Sequence, residues 1–265
     1  MIIKIEEVIE FIANMKQGKR NWFMPGDGRY QPKELKPFLG YDQWAVWLAV
    51  VEWFWMQELA SMKKIPARDA KLLTKERLFR MLDRITTTKQ DLVEKETKHD
   101  ILALRQLVAQ ALPKGLNRWL HLGATSYDII STGYALQAKA VFEAVFWPKL
   151  KEVDNVFLER IEENAEVLQA GRTHLQTALP VTVGFWLAGL HNRFIRNARK
   201  LKERSQKLEG KFSGAVGTYA AQKLILEIGS GAIECALMVH LGLKESEIST
   251  QIAPQIGRAS CRERV

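Results

Sequence analysis

Apolar residues recur at three- and four-residue steps through most of this chain, the period of helices that bury one face. Leu150, Val153, Phe157, Ile161, Ala165 and Leu168 trace one long stripe, and Leu187, Leu190, Phe194, Ala198, Leu201, Ser205 and Leu208 mark a second. Between them residues 170–180 are polar and punctuated by Gly171 and Pro180, so two long rods are predicted to meet at a turn. A third stripe, Tyr127, Ile130, Tyr134, Ala138, Val141 and Val145, follows Thr125 and Ser126, which read as a helix N-cap. Earlier in the chain helices are predicted over residues 5–16, 43–62 and 75–95, with Pro66 separating the last two. Another opens at Asp100 and carries Ile101, Leu104, Val108 and Leu112, and a final one covers residues 223–241. No period-two strand is predicted anywhere. The expected class is all-α, a small helical N-terminal domain followed by the first part of a long helical bundle. Pro113 and Gly115 mark the expected boundary, giving an N-terminal domain over 1–112 and an incomplete bundle domain over 113–255.

With 265 residues, 47% of them hydrophobic, the chain can bury one large core or two modest ones. The formal charge of +9 raises the question of nucleic acid. Lys and Arg are nevertheless interleaved with Glu through 71–98 and 196–211, as on solvated helix faces, so a basic channel for an anionic small molecule is the expectation and a nucleic-acid partner is not. Cys235 and Cys261 form no spacing motif, which fits a reducing cytoplasm and argues against a zinc site or a disulfide framework. No metal or cofactor is expected. Glu6, Glu7 and Glu10 interrupt the first apolar pattern, which is therefore no signal peptide, and the expected location is cytoplasmic. The aromatic run over 44–56 is shorter than the roughly 20 residues of a membrane span and contains Glu52. Trp44, Trp47, Val51 and Trp55 share one helical face there, so core packing is expected rather than an interfacial membrane helix.

The chemistry-bearing residues lie at the breaks in the pattern. Arg172, Thr173 and His174 would offer a cation, a hydroxyl and an imidazole at the mouth of a bundle, with His174 as the candidate proton donor. A lone loop histidine is ordinarily solvated or structural, so this reading requires partners from other segments. Arg29 and Tyr30 stand in an irregular loop over 21–32, either an ordinary surface turn or a forked grip on phosphate. Asp100 favours the dipole of the helix it opens, whereas Lys98 and His99 gain nothing structurally at their positions. Thr125 and Ser126 serve as a cap, and a helix start with two hydroxyls is also a carboxylate site. The Gly-rich stretch 209–219 reads equally as a phosphate cradle or as a tight connection.

Taken together, HD at His99 and Asp100, GATSYD at 123–128, GRTHLQ at 171–176, GKFSGAVGTY at 210–219 and STQ at 249–251 resemble the fumarase/aspartase superfamily and, within it, the adenylosuccinate-cleaving branch. The resemblance covers most of residues 29–251. It implies a cytoplasmic all-helical homotetramer with active sites built from three subunits. It also implies elimination of fumarate from adenylosuccinate, giving AMP, and from the succinyl-carboxamide ribotide of purine nucleotide synthesis. His174 is implied as the general acid that protonates the departing nitrogen. Thr125 and Ser126 are implied to hold a succinyl carboxylate, and Arg29 and Tyr30 the nucleotide phosphate. Lys98, His99 and Asp100 match a substrate-binding triplet, Gln251 a further substrate contact and His121 a phosphate-side position.

The same family places its catalytic base, a serine, on a loop of pattern GSSxMPxKxNP, C-terminal of STQ; that pattern does not occur in these 265 residues. The sequence therefore shows an acid and donors but no base, and the chain as given is expected to be inactive by itself. Residues 256–265 depart from what should follow STQ and read as a non-native tail contributing +2 of the +9 charge. The carboxymuconate cycloisomerase branch shares the GATS and GRT–LQ patterns and is one alternative, although that branch does not keep His at the position of His174. An inactive helical scaffold is the other.

Overall fold

The computed structural model describes residues 3–26, 28–227 and 231–253. Its α-helices are α1 (Ile5–Ala13), α2 (Lys36–Leu39), α3 (Gln43–Ser61), α4 (Ala67–Ala70), α5 (Lys75–Arg84), α6 (Thr87–Thr97), α7 (Asp100–Ala111), α8 (Lys114–Asn117), α9 (Ser126–Val141), α10 (Trp147–Glu163), α11 (Val183–Ser205), α12 (Ala220–Leu226) and α13 (Ala232–Leu241). Four short strands accompany them: β1 (Leu168–Thr173), β2 (Gln176–Thr182), β3 (Glu209–Gly210) and β4 (Lys244–Glu245). The class is all-α. Contacts divide the chain into two compact units, Met1–Val141 with Leu208–Val265, and Phe142–Lys207. Both sides of the Pro113 break lie in the first unit. The tail at 256–265 lies outside the described residues, as does Cys261.

In the first unit α3 is buried over 16 of its 19 residues. A helix that is apolar all round must be covered on every side, which accounts for the Trp-rich run as core. Trp47, Trp53 and Trp55 are fully buried, and no described helix is long and apolar enough to cross a membrane. Trp55 packs on Phe212 with ring centroids 4.3 Å apart, and Trp44 stacks on Tyr134 at 4.2 Å. A side chain at Gly133 of α9 would meet Leu48 of α3 at 2.8 Å, so the glycine permits the close approach of these two helices.

The helix predicted over 75–95 is two helices, α5 and α6. Ile85 leaves helical backbone at ψ 133°, and Thr86 caps α6 by accepting from the Lys89 N–H at 3.2 Å. The run Ile85-Thr86-Thr87-Thr88 is β-branched throughout and resists continuing a helix. The exposed carbonyls at the end of α5 are taken by Arg20, whose guanidinium donates to Leu82 O at 2.9 Å, Asp83 O at 2.8 Å and Ile85 O at 2.8 Å. The final predicted helix likewise appears as α12 and α13, with Glu227 in left-handed backbone ending the first.

The second unit corrects the expectation that no strand is present. α10 ends at Glu163, and residues that were predicted to continue it or form a plain turn build an antiparallel hairpin of β1 and β2. Leu168 pairs with Thr182 and Thr173 with Gln176, with an irregularity between Ala170 and Arg172. There a Cβ on Gly171 would fall 2.5 Å from Leu179 O, so the close crossing needs glycine. His174 and Leu175 form the two-residue link with φ of 49° and 65°, the left-handed pair of a type I′ turn. α10 and α11 pack through His191 Nε2 and Asp154 Oδ1 at 2.6 Å and through Phe157 and Phe194, centroids 5.7 Å apart. α10 has no buried residue, and α11 buries only Gly184.

Candidate active site

At the start of α9 Ser126 meets His99, and the turn that carries His121 leads directly into Thr125. Thr125 and Ser126 were expected to cap this helix with their hydroxyls, yet Asp128 does so instead. Its Oδ2 accepts from the Thr125 N–H at 3.0 Å, a carboxylate in the first turn reaching back to the cap residue. Ser126 Oγ is consequently free to face His99 Nε2 at 3.4 Å, and the Thr125 hydroxyl makes no hydrogen bond among the described residues.

His99 does have a structural task, contrary to expectation. It is the N-cap of α7, with Nδ1 accepting from the Leu102 N–H at 3.4 Å. That bond requires Nδ1 without a proton and leaves Nε2–H aimed at Ser126. Protonation of the ring would instead bring Nδ1–H to Asp100 Oδ1, 3.2 Å away. Lys98 also has one: its left-handed backbone, φ 55°, ends α6, and its side chain is exposed.

His121 occupies left-handed backbone, φ 61°, and is held by a residue of α3. Its N–H donates to Glu52 Oε2 at 3.0 Å, and its Nδ1 lies 2.6 Å from Glu52 Oε1. Burial pulls the His121 imidazole down, but the hydrogen bond and charge of Glu52, with Asp128 further off, outweigh both burial and Arg105, and the net is above the ordinary histidine value.

Beneath these residues lies a buried ion pair that sequence reasoning missed. Lys211 Nζ is 2.5 Å from Asp128 Oδ1 and donates to Gly214 O at 2.6 Å, with both charged side chains fully buried. Burial pushes the Asp128 carboxyl up, and Lys211, the Thr125 N–H and the Gly214 N–H pull it back. The stretch 209–219 is thus a tight connection, with its lysine turned inward. Tyr219 OH and the Phe212 N–H both donate to Glu234, the latter at 2.6 Å, and burial raises the Tyr219 hydroxyl. The glycines bring this connection against the STQ segment: a Cβ on Gly217 would lie 1.9 Å from Ser249 O, and Ser213 and Ser249 hydroxyls meet at 2.7 Å. Gln251 follows, exposed.

Arg29 and Tyr30 sit on a single 3-10 turn, Gly28–Tyr30, with the guanidinium carbon 5.5 Å from the tyrosine ring centre and both side chains exposed. No hydrogen bond joins Tyr30 or Gln251 to His99, His121 or Ser126 among the described residues. His174 stands in the second unit, exposed at the tip of the hairpin. Among the described residues no group of three or more His, Cys, Asp or Glu side chains could hold a metal ion.

An all-α core whose helix starts gather imidazoles and hydroxyls matches one class by sequence: a lyase family aligns with residues 57–234, and the chain belongs to that family, within the fumarase/aspartase superfamily. Among curated proteins it is similar to adenylosuccinate lyase of Archaeoglobus fulgidus, 35% identical over 87% of this chain and 49% of the relative, and to that of Bacillus subtilis, 31% identical over 84% and 48%. The chain spans about half the length of these relatives. Two solved structures share its fold. One is a fumarate lyase from Mesorhizobium sp. BNC1, with TM-score 0.68 and 24% identity over 85% of this chain and 52% of that one. The other is a β-carboxy-cis,cis-muconate cycloisomerase from Acinetobacter calcoaceticus, with TM-score 0.68 and 22% identity over 82% and 50%.

Proposed function

We propose that the protein of which these residues are part eliminates fumarate from adenylosuccinate, and from the related succinyl-carboxamide ribotide, in purine nucleotide synthesis. The observation that carries the reading is the start of α9. There Asp128 performs the capping, so that the hydroxyls of Thr125 and Ser126 are available to a carboxylate beside His99. In the reaction a base removes the proton from the carbon next to one succinyl carboxylate, and that electron pair forms the carbon–carbon double bond of fumarate. The carbon–nitrogen bond breaks, and His174 gives its proton to the departing nitrogen. Donors on the carboxylate stabilise the negative charge that develops on it. Arg29, Tyr30 and His121 take the phosphate end, and Lys98, Asp100 and Gln251 contact the rest of the substrate. The base is a serine of the family loop whose pattern these residues do not contain, and the active form is a cytoplasmic homotetramer.

The adenylosuccinate names of the relatives and the His at position 174 favour this reading over cycloisomerisation, since likeness to the cycloisomerase extends to fold alone. The test is fumarate release from adenylosuccinate, measured beside carboxymuconate turnover, for a protein extended with a family-type C-terminal half and for residues 1–255 alone. We expect turnover of adenylosuccinate only by the extended form. Turnover of carboxymuconate alone would overturn the assignment, and equal activity in the short form would place the base among the residues described here.

A further inference from the structure

Glu52 is fully buried in the middle of α3, flanked by Val51 and Trp53, which are also fully buried. A carboxylate in such a place is unfavourable unless its oxygens are bonded. Both oxygens are turned to a single residue, one taking the His121 N–H at 3.0 Å and the other meeting Nδ1 at 2.6 Å. The two bonds together fix the ring and the left-handed backbone that carries it, a conformation disfavoured for any residue with a Cβ. With Oε1 as acceptor, the proton of the neutral ring belongs on Nδ1. Nε2 has no hydrogen bond among the described residues, and the side chain keeps 20% of its surface exposed. His121 O in turn accepts from the Ala124 N–H at 3.2 Å, which ties the clamp to the turn that delivers Thr125 and Ser126.

We infer that Glu52 is a positioning residue: it holds His121 in one tautomer and one orientation, with Nε2 presented outward beside the start of α9. The nature of what Nε2 meets, an anionic group such as phosphate, rests on the lyase reading above; the clamp itself rests on the geometry. Glu52 from α3 touches the ring, and Asp128 from α9 and Arg105 from α7 are the other charges that act on it. Burial and Arg105 oppose the imidazolium, but the two carboxylates outweigh them, so the outward nitrogen is a charge-assisted donor over a wider pH range than a free histidine.

Nitrogen-detected titration of the protein labelled at histidine tests this, with inorganic phosphate as the probe. In the unchanged protein His121 should carry its neutral-form proton on Nδ1 and titrate above a free imidazole. Glu52→Gln keeps the size but removes the charge; it should lower the His121 midpoint and weaken phosphate binding at that ring about five- to tenfold. Glu52→Asp, which keeps the charge on a shorter arm, should restore part of the midpoint. A structural role alone would lower the melting temperature of Glu52→Gln without moving the titration of His121, and that result would overturn the proposal. So would an Nε2-protonated ring in the unchanged protein, a measurement that needs no variant to fold. If the tautomer and midpoint behave as stated but phosphate leaves the His121 signals unmoved, the clamp stands and the phosphate assignment of the lyase reading falls.

Discussion

Lys211 and Asp128 owe their tolerance in the core to one another, so truncating either leaves a buried charge unanswered. Asp128→Ala should cost about 3–5 kcal/mol in urea unfolding, and replacing both residues by Met and Leu should return most of it. A double variant as unstable as the single ones would show that the pair also supplies something apolar side chains cannot. His121 gives the residue-level pH dependence. Its folded value is raised above the unfolded one of about 6.5. The stability it contributes is therefore complete below about 6.5 and is lost as pH rises through the higher folded value. The difference in melting temperature between the unchanged protein and His121→Asn should shrink from acid to alkaline pH. Of these residues the sequence announced His121, Thr125, Ser126 and His99 as candidates, but not Glu52 or Lys211. Glu52 served there only to argue against a membrane span. A carboxylate between Val51 and Trp53 in the middle of so apolar a run is itself a signal, since it requires a partner from elsewhere in the chain. Nothing local says which residue that partner is: His121 lies 69 positions away.

At the scale of elements, the long helices were legible because each has a recurring apolar face. The hairpin was not, and the reason is that most residues of β1 and β2 are exposed and neither strand alternates buried with exposed positions along its whole length. Its link, His174-Leu175, also lacks the Asn-Gly or Asp-Gly that marks such turns. Leu175, 88% exposed with φ 65°, has no packing that would favour a leucine in this backbone. Leu175→Gly should accordingly strengthen the hairpin by about 1 kcal/mol, read as slower amide exchange at Thr173 and Gln176. The same geometry decides how to test the proposed acid. Asn tolerates left-handed backbone, so in the extended protein His174→Asn should preserve the turn while turnover falls roughly 10²- to 10⁴-fold. Unchanged turnover would remove His174 from the mechanism.

For the whole molecule, the all-α class was legible from periodicity, whereas the division into two units was not. The chain passes from one to the other after Val141 within an unbroken apolar pattern, and the strongest local break, Pro113, lies inside one unit. The second unit leaves Val156, Leu158, Phe185 and Trp186 at least half exposed. Apolar surface of this kind on two adjacent helices favours association. Sedimentation should show assembly that grows with concentration, and Leu158→Lys with Trp186→Glu should shift it toward smaller species. A monomer at every concentration would refute this.

The Asp128–Lys211 pair, joined across 83 positions, also has a consequence in time. A ribosome adding about 5–20 residues per second delivers Lys211 roughly 4–17 s after Asp128. Throughout that interval the start of α9 has a carboxylate with no cation to receive it, so the helix cannot be sealed into the core as it leaves the exit tunnel. The first unit must wait, partly open, for the second to be synthesised.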